Sequence, residues 1–333
     1  MKRLPLTYGG LLYLDRTLPL LLDQVNPEGI DLNYVVFDSP GDLFRRQCQY
    51  AQFEISEMSA STHISMIGHG DDRFVGLPIF VSRNFRHGQV YVNGNSGIES
   101  PQDLRGKRVG LVEYQMTAAL WIRAFLEEDY GVNARDILWH TGGLIEPEWA
   151  ERIEIPIPDD VSLQQIPVAE TLEGMLKSGD LDALVTMQPP QGFKAGTGPV
   201  RRLFEDYEAT EREYHQRTGH FPIMHLVVIR RDVYEKNRWM ALALFEAFEQ
   251  AKKLGNKRLR AITGLAISLP WLNSALHDVD VAFDGDAFPY GVQDNIRTLE
   301  AMTTYAHQQG MSGRKVDVSE LFAAETYQNP IAL

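Results

Sequence analysis

Cysteine is almost absent from this chain, whose 333 residues include a single one, Cys48. One cysteine excludes a disulfide within the chain and any metal site built from several thiolates. The chain is long for one domain, and 44% of its residues are hydrophobic, so we expect two domains or lobes with a sizeable core.

Positive charge is also scarce, because 32 lysines and arginines face 45 aspartates and glutamates, which gives a net charge of -13. No run of lysine or arginine is long enough to form a nucleic-acid patch, so we expect no nucleic acid as a partner. An acidic chain that binds an anionic ligand must gather its few positive groups locally, which directs attention to clusters of arginine.

Long apolar runs are missing as well, since no stretch approaches the roughly 20 apolar residues of a membrane-spanning helix. The opening sequence MKRLPLTYGGLLYLD starts with a basic pair, but Pro5, Gly9 and Gly10 interrupt its apolar run. No small-residue cleavage site follows, which favours a first strand over a secretory signal. We therefore expect a cytoplasmic protein with no membrane partner.

The common motifs of nucleotide, metalloprotease and hydrolase sites are absent: there is no GxGxxG, P-loop, HExxH or GxSxG. The fragment GHGDD could offer His69 and Asp71 to a metal ion, but it lacks a matching third ligand and is interpreted as a polar surface turn. The sequence therefore predicts no metal site and no organic cofactor.

Short apolar segments alternate with segments of helical periodicity, which predicts an α/β architecture with mostly parallel sheets. Gly131 and Gly255 are predicted to end two of the helices. The predicted strands are residues 4–7, 32–37, 74–80, 89–93, 107–112, 182–187 and 225–229, and the predicted helices are 16–24, 41–52, 116–129 and 232–254. Residues 141–167 and 188–199 are predicted to be irregular because they are rich in proline or glycine.

The order of these features resembles that of type 2 periplasmic binding proteins. The segments SGIESPQDLRGKRVGL (residues 96–111) and GDLDALVT (179–186) carry the resemblance. It implies an α/β, two-lobed, type 2 periplasmic-binding-protein-like fold with a hinge and an interlobe cleft. The chain has no linker, so we expect discontinuous lobes: residues 1–87 begin the first lobe, 88–214 form the second, and 215–333 return to the first and add C-terminal helices.

More specific runs resemble the 4,5-dihydroxyphthalate decarboxylase family along nearly the whole chain. They are EMSASTHIS (57–65), FVSRNFRHGQVYVN (80–93), VEYQMTAALWIR (112–123), RRLFEDY (201–207), RTGHFPIMHLVVIRRDVYE (217–235) and PYGVQDNIRTLEA (289–301). The segment TMQPPQGFKAGTGP (186–199) departs from the family pattern. The family also includes chains described only as substrate-binding proteins.

Arg83, Arg86 and His87 form the first candidate cluster, in SRNFRH. Two guanidinium groups can hold carboxylates bidentately, and the imidazole can transfer a proton. The alternative is a solvated strand end that makes surface ion pairs. If the strand is regular, the three side chains cannot all point the same way, so an irregular turn is needed at residues 84–85.

A second cluster, EYQMT, follows a predicted strand and starts a helix, where ligands often bind in α/β sheets. Glu113 could act as an acid, a base or a hydrogen-bond partner of a catechol, or it could cap the helix. The substrate-binding candidates of this cluster are Tyr114, Gln115 and Thr117.

Further candidates come from four short segments. HFPIMH contributes His225, which could exchange protons or be a satisfied core histidine, and we rank it below His87. EMSAST contributes the hydroxyl groups of Ser59 and Ser61, one of which could instead cap the next helix. Arg16 follows the first strand, and Tyr290 lies near the end of the chain.

The family resemblance implies cofactor-independent loss of carbon dioxide from 4,5-dihydroxyphthalate, which gives protocatechuate. For such a reaction we predict that Arg83 and Arg86 hold the retained carboxylate, that His87 delivers a proton to the ring, and that Glu113 or His225 faces the catechol. One alternative is a transport-type binding protein for a carboxylate without catalysis, and another is a decarboxylase of a related hydroxybenzoate. The expected partner is a small aromatic carboxylate, and the sequence leaves a homo-oligomer open.

Overall fold

The computed structural model describes residues 3–147, 151–191, 193, 199–261, 263–264 and 267–327. Its strands are β1 (Leu4–Leu11), β2 (Ile30–Phe37), β3 (Ile55–Ser59), β4 (Phe74–Arg83), β5 (Val90–Asn93), β6 (Arg108–Leu111), β7 (Leu138–Thr141), β8 (Leu163–Gln165), β9 (Ala183–Val185), β10 (Val200–Arg202) and β11 (Ile223–Arg230).

The α-helices are α1 (Leu18–Leu21), α2 (Pro40–Tyr50), α3 (Ala60–Gly68), α4 (Thr117–Tyr130), α5 (Leu172–Ser178), α6 (Tyr207–Thr218), α7 (Arg231–Tyr234), α8 (Met240–Leu259), α9 (Leu272–Ala282) and α10 (Ile296–Gln308). Short 3-10 helices occupy His87–Gln89, Pro101–Leu104, Ala134–Asp136, Gln293–Asn295, Val318–Glu320 and Ala324–Thr326. This alternation confirms the predicted α/β class. Within the described residues, no helix is both long and apolar enough to cross a membrane.

Contacts divide the chain into two units. The first comprises Met1–Arg83, Ile223–Glu300 and Asp317–Leu333, and the second comprises Asn84–Pro222 and Ala301–Val316. The lobe limits expected from the sequence, at 87/88 and 214/215, stay a prediction.

The first unit is built on a five-stranded sheet of order β2-β1-β3-β11-β4. β1 pairs in parallel with β2 and β3, whereas β11 runs antiparallel to both β3 and β4. All five residues of β3 are buried, and so are nine of the ten in β4. Polar residues on β3, at the centre of the sheet, and on β4, at its edge, are therefore held in a desolvated environment.

The second unit is built on a six-stranded sheet of order β10-β5-β9-β6-β7-β8. β6, β7, β8 and β9 are parallel to their neighbours in this set, and β5 and β10 add antiparallel pairs. A leucine-rich core packs on this sheet and includes Leu172, Leu176, Leu181 and Leu184. α4 ends at Gly131 with a left-handed conformation (φ 65°), as the sequence predicts.

Two predicted helices were wrong in extent. Residues 16–24 form only the short α1, and the chain turns at Asp23 with a positive φ of 53°. Residues 232–254 are not one helix, because α7 ends at Tyr234 and α8 begins at Met240. Between them the side-chain amide of Asn237 donates to the carbonyl of Val233 (3.1 Å), a local bond that competes with helical pairing.

Gly255 was wrongly predicted to end a helix, since it lies inside α8. A Cβ atom at this position would clash with the backbone carbonyl of Asp15. The glycine therefore permits close approach of α8 to the loop that follows β1, and its role is packing.

Candidate active site

Glu57 is a fully buried carboxylate in the middle of β3. It accepts hydrogen bonds from the backbone N–H of Leu11 (2.9 Å) and from the hydroxyl of Tyr13 (2.7 Å). Both donors lie at or just beyond the end of β1, which is the parallel neighbour of β3. These bonds supply the compensation that a buried charge requires.

His225 on β11 completes this arrangement. Its Nδ1 lies 2.6 Å from Glu57 Oε1, and its side chain keeps 16% exposure whereas Glu57 has none. A carboxylate only accepts hydrogen bonds, so Nδ1 carries the proton and donates it, which leaves Nε2 for exchange with another group. The ring also packs edge-on against Phe44 at 4.8 Å, which fixes its plane.

Strand register places two serines opposite His225. His225 is paired with Ser59 on β3 and with Ser82 on β4, so these side chains share one face of the sheet. Ser59 Oγ lies 3.3 Å from Ser61 Oγ at the start of α3. Ser59 occupies the N-cap position of α3, but its side chain makes no capping hydrogen bond. The capping alternative considered for Ser59 is therefore wrong.

The sequence analysis missed two tyrosines beside this site, the buried Tyr8 and the half-buried Tyr34. Tyr8 and Tyr34 are register partners on β1 and β2, with ring centroids 4.8 Å apart. Tyr34 donates to Thr17 Oγ1 (3.0 Å), and burial raises its pKa well above the ordinary value for tyrosine. The pKa of Tyr13 is raised as well, mainly by burial and to a smaller extent by the charge of Glu57. These phenols are therefore O–H groups at neutral pH. Only the register of β1 with β2 could have identified the Tyr8–Tyr34 pair.

Arg16, Arg83 and Tyr290 are buried in the same unit. The Arg16 guanidinium pairs with Asp15 (2.8 Å) and lies over the Tyr13 ring at 4.7 Å, which places it next to the Glu57 network. Arg83, the last residue of β4, donates to the carbonyl of Pro289 (3.0 Å). The structure thus brings six predicted site residues into the first unit: Arg16, Ser59, Ser61, Arg83, His225 and Tyr290.

Arg86 and His87 belong to the second unit. β4 ends at Arg83, so residues 84–86 are outside the strand, as the predicted irregular turn requires. His87 stacks on Phe125 with ring centroids 4.0 Å apart, and burial followed by the charge of Arg217 lowers its pKa to about 4. Its Nδ1 lies 3.9 Å from Glu211, and Arg86 donates to Gln89 (2.6 Å). His87 is thus neutral at physiological pH.

Glu113 and its neighbours form a separate group in the second unit. The Glu113 carboxylate makes a buried ion pair with the Arg152 guanidinium and accepts the Arg152 backbone N–H at 2.8 Å. The Tyr114 hydroxyl donates to the carbonyl of Gln309 (3.3 Å), and the Gln115 amide donates to that of Ile153 (3.4 Å). Thr117 is the first residue of α4 and is buried.

Metal ligation has little support in the part of the chain that the structure describes, where no group of three or more His, Cys, Asp or Glu side chains could hold an ion. The GHGDD segment is occupied by local bonds. His69 Nδ1 lies 2.8 Å from the carbonyl of Ser65, and Asp71 pairs with Arg73 at 2.7 Å. This agrees with the interpretation as a polar turn.

Comparison with known proteins decides the family. No protein-family model matches the sequence. A curated 4,5-dihydroxyphthalate decarboxylase of Comamonas testosteroni is 35% identical over 308 residues, which cover 92% of this chain and 93% of the relative. The chain belongs to the 4,5-dihydroxyphthalate decarboxylase family. A second family member, from Pseudomonas putida, is 38% identical over 201 residues, which cover 60% of this chain and 78% of that protein.

Solved structures place this decarboxylase-family chain in a known fold. The periplasmic aliphatic sulphonate-binding protein SsuA of Escherichia coli matches with a TM-score of 0.54 at 15% identity, covering 97% of this chain and 99% of that one. The alkanesulfonate-binding protein SsuA of Xanthomonas axonopodis pv. citri matches with a TM-score of 0.54 at 14% identity, with the same coverage. The predicted periplasmic-binding-protein-like fold is confirmed.

Proposed function

We propose that this chain catalyses the non-oxidative decarboxylation of 4,5-dihydroxyphthalate to protocatechuate and carbon dioxide, with Glu57 and His225 as its proton-exchange centre. Family membership at 35% identity over nearly the full chain supports the reaction. The observation that carries the site is the 2.6 Å contact between the buried Glu57 carboxylate and Nδ1 of the partly exposed His225.

The reaction needs an electron sink, because direct loss of an aryl carboxylate would leave an unstable aryl carbanion. In this substrate a hydroxyl stands para to each carboxylate. When that hydroxyl loses its proton, electron density moves to the para carbon, which is then protonated and becomes tetrahedral. The bond to the carboxylate then breaks, and carbon dioxide leaves with no change in redox state. The electron pair of the broken bond stays with the ring and restores its aromaticity. One proton is consumed overall, and no cofactor is required.

The Glu57–His225 pair suits the proton exchange in this scheme. Glu57 holds the imidazole in the tautomer that bears a proton on Nδ1, so Nε2 can accept the proton of a catechol hydroxyl. The resulting imidazolium would be stabilised by the adjacent carboxylate, as in other histidine–carboxylate pairs. The hydroxyl groups of Ser59 and Ser61, on the same side of the sheet, would orient the second catechol oxygen.

The roles assigned to the second unit stay predictions. Arg86 as a carboxylate ligand draws support from its burial and positive charge. Glu113 is paired with Arg152, so it suits hydrogen bonding better than proton abstraction. His87 remains a candidate proton donor, but its stacking on Phe125 gives it less support than His225. The substrate contacts of Tyr114, Gln115 and Thr117 also stay predictions. The same holds for the cytoplasmic location and for a homo-oligomeric state.

The first experiment is incubation of the purified protein with 4,5-dihydroxyphthalate, with assays for protocatechuate and released carbon dioxide. We expect His225→Asn to lower kcat by about 100-fold or more, since general acid–base groups typically contribute that much. The matched control is His307→Asn on α10, an exposed histidine outside this site, which should keep wild-type kinetics. Tight binding without release of carbon dioxide by the wild-type protein would instead support the transport-type alternative. Wild-type kinetics for His225→Asn would refute the proposed centre.

A further inference from the structure

Three cationic side chains hold the segment 286–291 in the first unit. Lys252 donates to the Asp286 carboxylate (3.0 Å) and to the carbonyl of Phe288 (2.9 Å). Arg16 lies over the Phe288 ring at 3.9 Å, and Arg83 donates to the carbonyl of Pro289 (3.0 Å). Two guanidinium groups therefore contact the two residues that precede Tyr290.

Tyr290 carries a polar group that the described residues leave unpaired. The residue is 3% exposed, and its hydroxyl is buried without a hydrogen-bond partner in the described part of the chain. The same is true of Nε of Arg16, a residue that is also more than nine-tenths buried. A buried donor without a partner costs about 1–3 kcal/mol, so such groups are rare unless a ligand uses them. Two of them beside one segment indicate a binding function.

The charges around the segment define the class of ligand. Burial lowers the pKa of Arg83 to about 9; the charge of Asp286 opposes this shift, and the positive charge of Arg16 adds to it. Burial also raises the pKa of Tyr290, which keeps its hydroxyl as a donor. An anion placed among two guanidinium groups and a phenol would stabilise the charged form of both arginines. A planar carboxylate, with two acceptor oxygens, matches a guanidinium Nε–H together with an O–H donor.

We propose that Arg16 and Tyr290 form the subsite for the carboxylate that the substrate keeps, while Arg83 holds the carbonyl of Pro289, next to Tyr290, and adds positive charge. This inference rests on the proposed function, because it assigns the retained group of the phthalate ring to these residues. It also places substrate recognition next to the Glu57–His225 pair, since Arg16 stacks on Tyr13 and Tyr13 donates to Glu57.

The test is calorimetric titration with two ligands. Phthalate has both carboxylates and no hydroxyl groups, and catechol has both hydroxyl groups and no carboxylate. Tyr290→Phe removes only the unpaired hydroxyl and its desolvation cost, so we expect an equal or higher Tm, an unchanged Kd for catechol and a Kd for phthalate about tenfold higher. Arg16→Lys keeps the charge but removes Nε, and it should weaken phthalate binding by a similar factor.

The matched control is Tyr234→Phe. Its hydroxyl donates to Glu325 at 2.6 Å, so this variant should lose stability and bind phthalate like the wild type. The subsite is refuted if Tyr290→Phe binds phthalate as tightly as the wild type, or if the wild type does not bind phthalate. Phthalate binding requires no catalysis, so a protein that binds through Tyr290 but releases no carbon dioxide would keep the subsite and refute only the proposed reaction.

Discussion

At the scale of single residues, burial and partners separate titratable groups that look alike in the sequence. His87 and His225 both lie in short segments that combine histidine with aromatic residues. In the structure His87 stacks on Phe125, whereas His225 contacts a buried carboxylate. The sequence identified His225 as a candidate, but not its pairing with Glu57. The pairing depends on the antiparallel register of β3 with β11. This register brings together Glu57 and His225, which are 168 positions apart in the chain.

The packing of His87 leads to a prediction about acid stability. Its folded-state pKa of about 4 lies below the ordinary value near 6.5, so as the pH falls the unfolded chain takes up the proton first. The stability that neutral His87 contributes is therefore full above about pH 6.5 and is lost progressively toward pH 4. For His87→Phe we expect a similar free energy of unfolding at pH 7 and a smaller loss on acidification. The difference should be on the order of 3 kcal/mol at most, measured by urea unfolding at several pH values.

An equal acid slope in both proteins would show that His87 is not the titrating group. His63, whose pKa burial also lowers to about 4, should keep part of the slope in the variant. The kcat of His87→Phe decides the separate prediction that His87 delivers the proton. A loss of about 100-fold or more would support that role, and a change below about threefold would favour His225.

At the scale of elements, apolar runs predicted β1, β2, β4, β5, β6, β9 and β11, but not β3, β7, β8 or β10. The predicted 225–229 and 74–80 are contained in β11 and β4. Helix ends were predicted less well where tertiary contact outweighed local signals. Glycine is typical of helix ends, yet α8 continues past Gly255 to Leu259. Glycine is needed at this position because a Cβ atom would clash with the Asp15 backbone.

The packing of Gly255 predicts the effect of Gly255→Ala. In a free helix this change would add stability, by up to about 1 kcal/mol. Here the new Cβ would meet the backbone of Asp15, so we expect a net loss of about 1–3 kcal/mol in the free energy of unfolding. We also expect weaker phthalate binding, because the adjacent Arg16 would move. Urea unfolding and calorimetry measure the two effects.

Gly41→Ala on α2 is the matched control for this substitution. The nearest atom to its new Cβ is Ser39 Oγ at 3.7 Å, an ordinary contact. This control should be neutral or stabilising by about 0.4–1 kcal/mol. If Gly255→Ala behaves like Gly41→Ala, the close approach of α8 to the Asp15 loop is not tight in solution.

At the scale of the whole molecule, the general architecture followed from the alternation of strands and helices, whereas buried contacts between distant residues could not be predicted. Residues 301–316, near the end of the chain, group with the second unit by their contacts. The reason is a buried contact between distant residues. The Arg123 side chain donates to Gln309 Oε1 (2.7 Å), and Gln309 donates to the carbonyl of Leu120 (3.0 Å). Local periodicity carries no information about such a contact.

The reaction as a whole predicts which substrates the protein can use. If the substrate's own hydroxyl is the electron sink, extensively dialysed protein without a bound chromophore should keep full activity, and phthalate should release no carbon dioxide. 4-Hydroxyphthalate has a hydroxyl para to only one of its carboxylates. It should lose that carboxylate alone and give 3-hydroxybenzoate without any 4-hydroxybenzoate, which chromatography against both standards resolves. Decarboxylation of phthalate, formation of 4-hydroxybenzoate, or a stoichiometric flavin or pyridoxal in the active protein would each show that the electrons go elsewhere.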